Sequence, residues 1–234
     1  GEVVRRLAVA TAHRLRIPAE HPRWSAPKTH PGTFSSARLA VRPRPTRRAA
    51  FRRGRFVARL VIEGGDGGPW ARLERGELSP TRFADAFSRQ GDAAGHPIDA
   101  MELLRVIATT TVPREAMVTA VARLRGAGIR VGALTNIWPM PDRDADLDAL
   151  KRGFDQVVES FRVGMRKPES RIYELACRTL DASPTDTIFL DDLGSNLKTA
   201  RALGMITLKV RDPAEALAEL EHLTGVALQT PPGR

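Results

Sequence analysis

Cysteine, long apolar runs and, over the first quarter of the chain, aspartate are what this sequence lacks. One cysteine, Cys177, stands among 234 residues, which excludes an intrachain disulfide and any cysteine-cluster metal centre. No apolar run approaches the roughly 18 residues of a membrane-spanning helix, and no secretory apolar core is visible; the expected location is cytoplasmic. No segment repeats itself. Aspartate is absent before Asp66, and the only acids in the first 60 residues are Glu2 and Glu20. An acidic site built from the start of the chain is thereby excluded.

Positive charge is abundant and unevenly placed. The net charge of +10 invites a nucleic-acid partner. Yet residues 1–60 hold 15 Lys+Arg against 2 acids, whereas the remainder holds 22 against 25. The basic character belongs to one segment, and the distribution argues against nucleic acid as a partner of the folded part. That segment, residues 1–53, is rich in Arg and Pro, and its proline spacing opposes a long helix. VRRLAVATAHRL reads as a short helix and ARLAVRP as a short strand. The segment is expected to be disordered or out of frame, in this order: a frame-shifted stretch, a disordered basic arm, or an organellar transit peptide.

At 42% hydrophobic residues, 234 residues suffice for one α/β core with a small inserted domain. Residues 54–112 read as polar-rich helices, with Ser79-Pro80 a good helix start. From 113 to 234 helices and short apolar strands alternate, the pattern of a parallel sheet. The strands are expected at 129–134, 154–159, 187–190 and 205–210, with helices at 113–125, 169–180, 195–203 and 213–223. Asp212-Pro213 is a cap followed by a first-turn proline, and a cap is expected at Ser195 or Asn196.

Three fragments carry the chemistry. TIFLDDLGSNLKTARALG, Thr187 to Gly204, is a strand ending in two adjacent carboxylates, Asp191 and Asp192, followed by a turn and a helix. Acids at the carboxyl end of a parallel strand sit where open α/β sheets bind ligands. Two carboxylates side by side repel, and a bound cation relieves that repulsion. A lone Asp-Asp is more often one helix cap and one solvated acid, but two further pieces lie upstream. GIRVGALTN is a strand ending in Thr135-Asn136, and GMRKPESRIYELA places Lys167 before Pro168 and a helix. The intervals are 32 residues from Thr135 to Lys167 and 24 from Lys167 to Asp191.

Thr, Lys and Asp-Asp in this order resemble the haloacid dehalogenase superfamily of phosphohydrolases. LTNIW, VVESFRVGMRKPESRIYELA, FLDDLGSNLKTARALGMITLKV and LTGVALQTP are similar to the N-terminal phosphatase domain of soluble epoxide hydrolases and to the related domain of some acyl-CoA dehydrogenase fusion proteins. EGGDGGPWARLERGELSPTRF, Glu63 to Phe83, resembles the start of their helical cap. The likeness covers about Gly54 to Pro231.

The resemblance implies a Rossmannoid parallel sheet with an inserted helical cap and Mg²⁺-dependent hydrolysis of a small organic or lipid phosphate. It implies that Thr135 and Asn136 contact phosphate, that Lys167 offsets negative charge, and that Asp192 ligates magnesium while Asp191 orients Lys167. In the family, an Asp at the end of the first strand attacks phosphorus, and a second Asp two residues on moves the proton. No such Asp-x-Asp-Gly exists here. The first strand is therefore expected to be missing or replaced, with Ala37–Val41 filling its place, and the protein to be an inactive phosphatase-type hydrolase. The alternative is a non-catalytic module binding a phosphate ligand or a protein.

Other residues attract blander readings. Trp70 and Trp138 read as packing residues, or as an apolar wall for a lipid-like phosphate. His96 and His222 have no partner spacing. Asp142, Asp144, Asp146 and Asp148 alternate without the Gly and Glu of a calcium loop and read as solvated. Cys177 reads as a packed thiol.

Overall fold

The computed structural model describes residues 6–9, 47–110, 114–139 and 151–229. Its described residues fall into two compact units. One is built on Gly1–Arg14, Leu73–Glu77 and Thr111–Arg234, the other on Leu15–Arg72 and Leu78–Thr110.

The first unit holds a five-stranded parallel sheet. The strands are β1 (Arg6–Val9), β2 (Arg130–Thr135), β3 (Gln156–Glu159), β4 (Thr187–Asp191) and β5 (Ile206–Lys209), in the order β3-β2-β1-β4-β5. β1 occupies the centre, pairing Arg6 with Arg130 on one side and with Thr187 on the other. The short helix read over VRRLAVATAHRL is thus a strand at Arg6–Val9. A strand stands at the central position, drawn from a segment expected to be disordered. Ala37–Val41, the expected occupant, and the acids at 142, 144, 146 and 148 lie outside the described residues.

Successive side chains of a strand point to opposite faces, and the core divides accordingly. Val131, Ile188, Leu190 and Leu208 pack with Val121 and Leu124 of α5 (Glu115–Gly126) and with Leu217 and Leu220 of α9 (Pro213–Thr224). Leu134, Val158 and Phe189 pack on the other face with Ile172, Tyr173 and Cys177 of α7 (Ser170–Thr179) and with Leu197 and Ala200 of α8 (Gly194–Ala202). A parallel sheet covered by helices on both faces reads as nearly continuous apolar strands, as β4 does. Gly132 on β2 has a spatial reason: a Cβ there would lie 2.8 Å from Leu180 Cδ1. Cys177 is a buried free thiol, as its helix position suggested. A four-residue helix, α6 (Ser160–Val163), follows β3.

The second unit is helical. Its helices are α1 (Arg47–Gly64), α2 (Pro69–Glu74, whose last two residues belong to the sheet unit), α3 (Pro80–Ala93) and α4 (Ala100–Thr110). Helix α1 begins seven residues before the boundary expected at Gly54. Ser79 caps α3 by accepting the Arg82 N–H, with Pro80 in the first turn. Trp70 is buried edge-on against Phe83 and Phe87, which stack on each other at 5.1 Å. Trp70 is therefore a core residue of this unit. No described helix is long and apolar enough to cross a membrane.

Asp212 caps α9 through the N–H groups of Ala214 and Glu215, as its sequence predicts. At the other end Glu221 accepts the N–H groups of Leu228 and Gln229, tying the following segment back to the helix. The bond from Gln229, then that from Leu228, holds the Glu221 carboxyl below its ordinary range. A carboxyl depressed on folding contributes stability above its unfolded pKa, near 4.3, and loses it as pH falls through the folded value. Glu221→Gln is therefore expected to lower the urea midpoint at pH 7, and the gap from the parent should close in acid. An equal gap at pH 7 and pH 3 would refute this.

Candidate active site

The site is built from the carboxyl ends of β2 and β4 and the loop before α7. Thr135 ends β2. It is buried, and its Oγ1 is one of two buried side-chain polar atoms with no hydrogen-bond partner among the described residues. Leaving a buried hydroxyl unsatisfied costs about 1–3 kcal/mol. Such an atom at a strand end is what a site looks like when its ligand supplies the missing bond.

Lys167 and Asp191 form the electrostatic centre. Lys167 Nζ lies 2.8 Å from Asp191 Oδ2, and both side chains are almost wholly buried. The same oxygen accepts from Asn196 Nδ2 at 3.0 Å, and Oδ1 accepts the Leu193 N–H at 2.8 Å. Asn196 is held in turn, because the Tyr173 hydroxyl donates to its carbonyl at 3.1 Å. Burial, and then the nearby Asp191 charge, push the Tyr173 phenol above its ordinary range, so it stays a neutral donor. Both Asp191 oxygens are thus committed inside the protein. The Leu193 bond also explains how α8 begins. Leu193 is its N-cap without a side-chain bond, and the Asp191 carboxylate serves from two residues upstream. The cap expected at Ser195 or Asn196 is corrected accordingly.

Asn136 is committed as well. Its Oδ1 accepts the Lys167 N–H at 2.8 Å, while its Nδ2 donates to the Lys167 carbonyl at 2.9 Å and to Glu74 Oε2 at 3.2 Å. The amide orientation is fixed by this pattern, since the nitrogen faces two acceptors and the oxygen faces a donor. Its side chain therefore shapes the Lys167 loop. The next residue, Ile137, is pinned by Ser160, whose hydroxyl accepts the Ile137 N–H and donates to its carbonyl.

Asp192 follows Asp191 and is half-buried. Magnesium takes one or two carboxylates along with water and phosphate oxygens. Asp191 is committed to Lys167, Asn196 and the Leu193 N–H. Among the described residues no group of three or more His, Cys, Asp or Glu stands together. These residues by themselves do not fit a magnesium centre.

The structure brings Asn136, Lys167 and Asp191 into one hydrogen-bonded chain, with Thr135 beside Asn136 in sequence. Sequence reasoning missed Glu74, Arg166, Ser160 and Tyr173. All four sat inside fragments already noticed, Glu74 in EGGDGGPWARLERGELSPTRF and the others in VVESFRVGMRKPESRIYELA, but nothing local pointed from Glu74 to Asn136, 62 residues downstream.

A family model described as haloacid dehalogenase-like hydrolase matches residues 28–204. Strand β1 precedes the matched stretch. Acyl-CoA dehydrogenase family member 10 of Mus musculus is 35% identical over 74% of this chain and 16% of its own length. Bifunctional epoxide hydrolase 2 of Rattus norvegicus is 44% identical over 50% of this chain and 22% of its own. The chain thus spans about a fifth of these relatives. The sesquiterpene phosphatase astK of Aspergillus oryzae is 32% identical over 67% of this chain and 79% of its own. Two solved structures share the fold: a HAD-like family hydrolase from Porphyromonas gingivalis (TM-score 0.58, 20% identity, 93% of this chain and 98% of that one) and a HAD family enzyme from Bacteroides thetaiotaomicron solved as its magnesium complex (TM-score 0.57, 16% identity, 92% and 99%). With the site at the strand ends of a covered parallel sheet and the family match over most of its length, the chain belongs to the haloacid dehalogenase-like hydrolases.

Proposed function

We propose that this protein is a phosphatase-type hydrolase by descent that retains a phosphate pocket and has lost its nucleophile. The observation that carries the pocket is the buried, unpartnered hydroxyl of Thr135 at the end of β2. Lys167, Asp191 and Asp192 supply the neighbouring charges. The loss is supported by β1, which lies between β2 and β4 where the family's attacking Asp belongs, in a stretch with no Asp before Asp66. The central strand is on this reading a replacement for the family's own. Residues 54–112 correspond to the cap and 113–234 to the core. Asp192 is the residue that would meet Mg²⁺ in the family's arrangement, and a centre there would need the family's first-strand acid beside it.

Lys167 is fixed by Asp191 and cannot swing to attack phosphorus. Thr135, Lys167 and Asp192 position and neutralise; none is a held, in-line oxygen nucleophile. The substrate class is an organic phosphate, and an apolar one is supported by the similarity to the sesquiterpene phosphatase. A second reading, a binding module without turnover, draws on the same Thr135 hydroxyl.

The test is a steady-state assay of the unmodified chain on an aryl phosphate with Mg²⁺, beside amide NMR with inorganic phosphate. Expected are no turnover above background and shifts at Thr135 and Leu193. Clear turnover that vanishes in Asp192→Asn would mean that another residue attacks, overturning the reading. No shifts would remove the pocket.

A further inference from the structure

We propose that Glu74 is a positioning residue for Lys167, acting through Asn136 and Arg166. The segment Leu73–Glu77 lies in sequence among the helices of the helical unit yet belongs to the sheet unit. Glu74 is 7% exposed, and a carboxylate that deep must be paired. Its Oε2 takes two donors, Arg166 Nε at 2.7 Å and Asn136 Nδ2 at 3.2 Å. Arg166 is the residue immediately before Lys167. Asn136 is the residue whose amide brackets the Lys167 peptide groups from both sides. One carboxylate therefore fixes the Lys167 backbone twice, once through the chain neighbour and once through the amide that clasps it.

The next residue extends the grip. Arg75 Nη1 reaches Glu169 Oε1 at 3.3 Å, two residues past Lys167. At Gly76 a Cβ would lie 2.5 Å from the Phe161 carbonyl oxygen, and φ is +73°, so the strap lies flat on that backbone where only glycine fits. Glu74 and Arg75 hold both flanks of Lys167, and Gly76 lies against Phe161 of α6, upstream of it.

An ammonium at 2.8 Å from its carboxylate keeps that geometry only if its backbone does not drift. The stem of Lys167 has four rotatable bonds, and its backbone is the end that the Asn136 and Glu74 network holds. Loosening Glu74 should free Nζ from Asp191 before it disturbs the rest of the fold. This inference rests on the reading of the pocket as a phosphate site, but its test uses no phosphate, so the two can fail separately.

The experiment is competitive acetylation with acetic anhydride, read lysine by lysine by mass spectrometry. Exposed Lys198 and Lys209 are the internal references. Glu74→Ala should raise the Lys167 rate about tenfold, the loss of a charged hydrogen bond, with the references unchanged. Glu74→Gln keeps an oxygen for the Asn136 amide and should give a selective rise of about threefold. An unchanged Lys167 rate in Glu74→Ala overturns the proposal. If all three lysines rise together in Glu74→Ala, Glu74→Gln decides: a rise confined to Lys167 supports positioning, and no rise or a uniform one shows a merely structural role.

Discussion

Exchanging residues 1–53 for a strand that ends in Asp-x-Asp-Gly, ahead of the helical unit, is expected to yield a Mg²⁺-dependent phosphatase. The gain over the unmodified chain should be about 10⁴-fold or more, since removing a nucleophile costs several orders of magnitude even when binding groups remain. The sheet supplies the reason. Val9 on β1 is in register with Ala133 on β2 and Leu190 on β4. A carboxylate two residues further along a grafted strand stands level with Thr135 and Asp192 in the ladder. It adds an attacking oxygen and one more acid to a place where the described residues hold no group of three or more potential metal ligands. Asp192→Asn in the repaired protein should return the rate to background. A folded graft that binds phosphate yet stays inert would show that more than the nucleophile has been lost.

Breaking the buried pair should have the largest effect on stability. Asp191→Ala strands Lys167 without its counter-ion, in a place where both side chains are almost fully excluded from water. Removing one partner of such a pair costs about 3–5 kcal/mol. Lys167→Met leaves Asp191 with Asn196 and the Leu193 N–H and should cost less. The double variant Lys167→Met with Asp191→Leu removes both charges and should be more stable than Asp191→Ala alone, since apolar replacement of a whole buried pair is often tolerated. Urea midpoints of the four proteins measure this. Additive losses would mean that the two charges do not depend on each other.

Much of the site was legible before the fold, because strand ends announce themselves. Thr135 and Asp191 each close a run of apolar residues, and the structure ends β2 and β4 on those two residues. Asp212 and Ser79 were legible for a local reason too, each sitting before a proline that can only begin a helix. The wiring was not legible. Glu74 meets Asn136 across 62 residues of chain, and no local pattern encodes such a meeting. The start of α8 was misplaced because its first N–H partner is a carboxylate on the preceding strand, where a capping side chain was sought within the turn. β1 escaped notice because four residues are too few to show a period, and both of its partners are remote.

That remoteness bears on how the molecule reaches its native state. Arg6 must find Arg130 and Thr187, each more than a hundred residues away along the chain. Without β1 the sheet is two separate ribbons, β3-β2 and β4-β5, each with an open edge. The strand that joins them precedes both in sequence, and it must wait until β4 has been made. Closing such long loops is slow relative to local contacts. Until Arg6–Val9 docks, two bare edges stand ready to pair with another copy of the chain.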